Sequence, residues 1–192
     1  MPSDIGWIQT ASGGRFYPLR PRVEDVKVED IAAALSRNCR FTGHCIKHYS
    51  VGEHSLLVCD ILHYWEHRDP ETILWGLLHD ASEAYVSDIA RPLKQQPEFA
   101  FYRDMEKQIM DTVCKKFDMS PDEPKIVKAA DTLALAIEAK YLMPNREKDR
   151  WAWLPDIPDC LQYWGPTLGS QTSGTVEKRF LAEFAHLEKL RV

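Results

Sequence analysis

Four polar residues stand where apolar stripes should continue. In residues 50–67, helical periodicity places Val51, Val58, Ile61, Leu62 and Trp65 on one face, and His54 falls between Val51 and Val58 on it. In 70–85, Ile73, Leu74, Leu77, Leu78, Ala81 and Ala84 mark the buried side, with His79-Asp80 inside the run. In 121–143, Asp131 is set among Val127, Ala130, Ala134, Leu135 and Ile137 in AADTLALAIEA. Taken singly, each reads as a hydrogen-bonded core residue. A buried, unpaired carboxylate costs several kcal/mol, so Asp80 needs an arginine, a lysine or a metal facing it. Taken together, inward histidines and buried aspartates require a common partner, and a divalent cation ligated by imidazole nitrogen and carboxylate oxygen meets that need. The expectation is one divalent ion on His54, His79, Asp80 and Asp131. Cobalt, manganese, zinc, iron and magnesium all accept such mixed donors.

The elements that must position these residues are mainly α. Apolar residues recur at i, i+3 and i+4 over 28–39, 50–67, 70–85, 97–117, 121–143 and 175–190. Ser50, Asp69-Pro70 and Ser120-Pro121 supply start signals for three of these helices. Ahead of them, 6–19 (GWIQTASGGRFYPL) carries two aromatic and β-branched stretches around Gly13-Gly14, the signal of a β-hairpin. Residues 144–174 hold Trp151, Trp153, Trp164 and the helix breakers Pro144, Pro155, Pro158 and Pro166, and show no period. Such a long loop serves as a lid, as an oligomer contact, or simply as a cap on the core.

A chain of 192 residues fits a single domain, long enough to bury about 70% of the surface its unfolded form exposes. Its net charge of −5 argues against a broad grip on polymeric nucleic acid. No window approaches a membrane span, and MPSDIGWIQT lacks the pattern of a secretory signal, so a cytosolic protein is expected. Cys39, Cys45, Cys59, Cys114 and Cys160 form no C-x-x-C pair and read as reduced thiols.

The blocks SVGEHSLLV, LLHDASEAYVSDIARPLK and VKAADTLA are similar, in order and spacing, to those of HD-domain phosphohydrolases. Within that superfamily they resemble the bacterial 5'-deoxynucleotidases and the small phage enzymes that strip triphosphate from dATP. The resemblance covers roughly 28–143 and implies a compact helical bundle in which His54, His79, Asp80 and Asp131 hold the metal. It implies that Glu83 in HDASE is the catalytic acid or base; as a helix neighbour of His79 and Asp80, Glu83 projects from the same face.

By the same resemblance, Arg40 in CRFTGH orients the phosphate and Phe41 stands where an aromatic, commonly tryptophan, packs on the deoxyribose. Asp88 matches an aspartate that contacts the sugar. Ala90-Arg91 departs from the Pro-Thr of the bacterial nucleotidases, which leaves Arg91 as an added phosphate contact. Lys94 and Lys128 fall where basic residues lie near phosphate oxygens. His44, His48, His63 and His67 do not fit the second-metal motifs and read as ordinary residues. The expected function is release of phosphate from 2'-deoxynucleoside 5'-monophosphates, with two alternatives: a dNTP triphosphohydrolase releasing tripolyphosphate, and a non-catalytic nucleotide-binding module. Relatives of this kind are commonly homo-oligomers.

Overall fold

The computed structural model describes residues 6–65, 69–144 and 151–191. The fold is mainly helical with a small N-terminal hairpin, as expected. Strands β1 (Ile8–Gln9) and β2 (Arg15–Phe16) pair antiparallel, Ile8 opposite Phe16. Their turn closes where Thr10 donates to the Gly14 carbonyl at 3.0 Å and Gly13 takes φ +80, open to glycine without strain. Phe16 is fully buried and stacks on Tyr85 with ring centroids 3.6 Å apart, so the hairpin is pinned to the helical body.

The helices are α1 (Val28–Leu35), α2 (Val51–Tyr64), α3 (Pro70–Leu78), α4 (Glu83–Val86), α5 (Arg91–Lys94), α6 (Ala100–Lys116), α7 (Lys125–Leu142) and α8 (Ser173–Leu190). Helix α2 is the axis, buried from Val51 through Cys59 and again at Ile61 and Leu62, and packed against α3, α7 and α8. From Val51 to Cys59 it is buried on every side and has no solvated face to spend on polar residues, so those it carries there require partners inside the protein. Gly76 lets α3 approach α2 closely: a Cβ there would stand 2.5 Å from Leu62 Cδ1 and 3.3 Å from Val58 Cγ1. Among the described residues no helix is long and apolar enough to cross a membrane, and all five cysteines are free.

Several boundaries differ from the sequence expectation. The helix expected over 70–85 ends at Leu78 and resumes for one turn at Glu83. The cause is local: the His79 Nδ1 engages the Gly76 carbonyl at 2.8 Å, and the chain tightens into i→i+3 bonds from Ala81 to Leu78 and from Glu83 to Asp80. His79 and Asp80 therefore lie in a tight turn instead of a helix. The helix expected from Pro121 starts at Lys125, because Pro124 drives Glu123 out of the helical region. The first helix closes at Leu35, before 39, and the one expected from 97 begins with a 3-10 turn, Pro97–Phe99. Residues 145–150 of the long loop, and His67, lie outside the described residues. The rest of that loop contains a 3-10 run, Asp159–Thr167, with Leu161 buried.

Candidate metal centre

Three donors reach the centre from separate elements. His54 sits one turn into α2, whose start is fixed by a capping box. Ser50 Oγ accepts the Glu53 amide at 3.1 Å, and Glu53 Oε2 accepts the Ser50 amide at 3.2 Å. His79 closes α3, and Asp131 projects from α7. One donor atom from each of His54, His79 and Asp131 lies within 4.8 Å of the others. His54 Nε2 is 3.1 Å from Asp131 Oδ1 and 3.2 Å from His79 Nε2. Asp80 stands beside this set, its Oδ2 3.3 Å from His79 Nε2, 3.7 Å from His54 Nε2 and 3.5 Å from Arg40 Nη1. It is shared between the imidazoles and the guanidinium.

The partners of the two rings fix their tautomers. His54 Nδ1 is 2.6 Å from Glu138 Oε1, and His79 Nδ1 is 2.8 Å from the Gly76 carbonyl. Burial works upward on Glu138, but Arg40 and His54 hold its carboxyl below the usual range, so it is an acceptor only. Each Nδ1 thus carries its hydrogen and each Nε2 turns a lone pair to the other. Two facing lone pairs cannot satisfy one another, so a proton or a cation must lie between them and the carboxylates.

When no cation is bound, protons would fill that role. Burial alone would lower His79, but Asp80, Asp131 and the Gly76 carbonyl push it up to about 10. His54 is raised as well, with Glu138 and Asp131 outweighing burial and Arg40. Burial works against ionising Asp131, yet His54 and His79 hold it down at about 2. Asp80 is likewise held far below its ordinary range, against burial, by His79, His54 and Arg40. This donor set of buried imidazole and ionised carboxylate fits a borderline divalent cation.

The centre forms part of the wall of a cavity of about 1030 Å³, to which Arg40, Asp80, Glu83 and Asp131 contribute. Arg40 is held by Glu138 Oε2 at 3.0 Å and by the bond from its amide to the Tyr49 carbonyl. The turn that follows is left-handed at Phe41 and Thr42, both with φ 54, a conformation costing roughly 1–2 kcal/mol per non-glycine residue and concentrated at functional sites. Burial, then the charges of Asp80 and Asp88, raise Glu83 to about 8 against the pull of Lys94. Lys94 Nζ reaches Glu83 Oε1 at 3.1 Å and Glu106 Oε1 at 2.7 Å. Arg40 Nε and Glu83 Oε2 are buried without a hydrogen-bond partner.

Phe41, Asp88, Arg91 and Lys94 line the same cavity. Lys128 does not: it lies on the exposed face of α7 and the structure does not bring it to the centre. His44, taken as ordinary from the sequence, does line the cavity, as do Arg103, Trp151 and Trp153. The residue sequence reasoning missed most plainly is Glu138, fully buried and bonded to both His54 and Arg40. Its signal was present: it follows Asp131 by two helical turns, a carboxylate between Ile137 and Ala139 in the same apolar stripe.

No protein-family model matches the chain. It is 36% identical over 155 residues to the uncharacterized protein YfdR of Escherichia coli, covering 80% of this chain and 82% of that one. It is 31% identical over 162 residues to the uncharacterized protein RCAP_rcc00048 of Rhodobacter capsulatus, covering 78% and 81% of the two chains. With identity at this level running over most of both chains, the protein belongs to the family of Escherichia coli YfdR.

Proposed function

We propose that the protein is a metal-dependent phosphohydrolase of the HD type acting on 2'-deoxynucleotides, foremost as a 5'-deoxynucleotidase releasing phosphate from dNMPs. The observation that carries this reading is the pair of imidazole nitrogens, His54 Nε2 and His79 Nε2, facing at 3.2 Å beside Asp131, which together with Asp80 opens this centre onto a large cavity. His54, His79 and Asp131, with Asp80 beside them, would hold one divalent ion. Bound there, the ion supplies Lewis-acid neutralisation of phosphoryl charge and acidifies water.

The chain's own residues supply the rest. Arg40, anchored by Glu138 and with Nε free, offers its guanidinium to phosphate oxygens. Burial, with the charges of Asp80 and Asp88, favours the protonated form of Glu83. Its unpartnered Oε2 can give that proton to the 5'-oxygen as water bonds to phosphorus and the P–O5' bond breaks, the water's proton restoring Glu83, while Lys94 holds Oε1 in place. Phe41 and Asp88 offer a flat apolar wall and a hydrogen-bond acceptor for the sugar.

One observation favours a triphosphate substrate as the second reading. Arg91, Lys94 and Arg103 line the cavity in addition to Arg40, more cationic groups than a single phosphate requires. Incubating dAMP, dGMP, dATP and dGTP with manganese, cobalt, zinc and magnesium separates the two by product. Inorganic phosphate from dNMPs is the expected result; tripolyphosphate from dNTPs transfers the assignment to the second reading, and binding without turnover overturns both.

A further inference from the structure

The cavity is larger than the chemistry at its metal centre needs, and the rest of its wall has a different character. Trp151 and Trp153 line it together with Leu135 and Met143. The two indoles lie 6.3 Å apart between centroids, tilted by 42°. Trp153 is 58% exposed, whereas Trp164, from the same segment, packs against the core and meets Tyr64 edge-on at 6.2 Å. An indole left in water at the edge of a charged cavity forgoes the favourable burial of one of the largest apolar side chains. A planar ligand would recover it.

We propose that Trp151 and Trp153 form a stacking subsite for the nucleobase, with Trp153 as the principal platform. The inference rests on the deoxynucleotide reading and deepens it, because a nucleotide has the same two-part character as the cavity. Its charged phosphate suits the Arg40 and metal-centre wall, and its flat apolar base suits the indoles. Stacking tolerates every base, since each has a π-face, and grows with ring area. Purine substrates should therefore be favoured over pyrimidines, with little discrimination between adenine and guanine.

Trp153 is the position to test, since Trp151 also walls a second cavity of about 560 Å³ beside α7 and its loss would disturb more. The experiment compares wild type, Trp153→Ala and Trp153→Phe on dAMP and on 2-deoxyribose 5-phosphate, which keeps the sugar phosphate and lacks the base. Calorimetric binding of deoxyadenosine is measured in parallel. Trp153→Ala should raise KM for dAMP by on the order of tenfold, leave 2-deoxyribose 5-phosphate unchanged, and weaken deoxyadenosine binding, with Trp153→Phe restoring most of the loss. An equal effect on both substrates, or none on dAMP, overturns the subsite and leaves the phosphohydrolase reading standing. Absence of turnover together with Trp153-dependent deoxyadenosine binding overturns the enzymatic reading and retains the subsite. Absence of both turnover and binding removes both.

Discussion

The metal-centre wall and the tryptophan wall of the same cavity are built on opposite rules. The first is assembled from α2, α7 and the turn after α3, with His54 and Glu138 fully buried and each paired. The second comes from an irregular segment, with Trp153 mostly in solvent. Under the proposed reading, chemistry that depends on tenths of an ångström is placed on packed helices, where neighbours fix each rotamer. Contact with the proposed nucleobase would be left to side chains that little else constrains.

Substitutions in the metal-centre wall should disable and those in the tryptophan wall should only retune. His54→Ala or Asp131→Ala should bring both bound metal and turnover to background, measured by elemental analysis and phosphate release. Metal retained at wild-type stoichiometry in either variant would sink the assignment of the centre. Glu83→Gln should lower kcat by about 10²–10⁴ with metal content unchanged; parallel loss of metal would recast Glu83 as a ligand. Glu138→Ala should weaken metal binding by about 10–100-fold, because the His54 ring loses its anchor. In Glu138→Gln the amide oxygen can still accept from His54 while the NH₂ faces Arg40. Metal affinity should then hold better than the KM for phosphate substrates, and the reverse order would break the link drawn between Glu138 and Arg40.

The pH dependence sharpens the comparison further. In the metal-free protein His79 is raised from 6.5 to about 10, so its contribution to stability is complete below about pH 6.5 and is lost as pH rises through 10. A cation must displace that proton, so metal affinity should climb between pH 6 and 9, with proton release visible by calorimetry in buffers of different ionisation enthalpy. Flat affinity over that range would mean that no proton is exchanged. The smallest effect belongs to the tryptophan wall: Trp153→Ala should alter stability by no more than about 0.5 kcal/mol in thermal or denaturant unfolding.

The parts of this arrangement legible in the sequence are those that break a helical period. His54 and Asp131 were found because α2 and α7 run straight through them, so a polar residue in the stripe has to face inward. The hairpin was legible from Gly13-Gly14 between its short strands. The turn at His79-Asp80 was not, because nothing in LLHDASEA punctuates the chain; the helix ends when a side chain takes up a backbone carbonyl, an event invisible to periodicity. The left-handed turn at Phe41 and Thr42 escaped for a related reason, since neither residue type signals positive φ. Lys128 and His44 exchanged roles because exposure on a helix face and placement on a loop follow from tertiary packing alone.

Gly76 bears on the spacing of the two imidazoles. Its carbonyl aims the His79 ring, and its missing side chain lets α3 rest on Leu62 and Val58 of α2, the helix that bears His54. The separation of the two imidazoles is thereby set by the thickness of an apolar seam. A larger residue at 76 would press on Leu62 and Val58 at this seam, and under the proposed metal reading the spacing of the ligands would then change without any donor being touched.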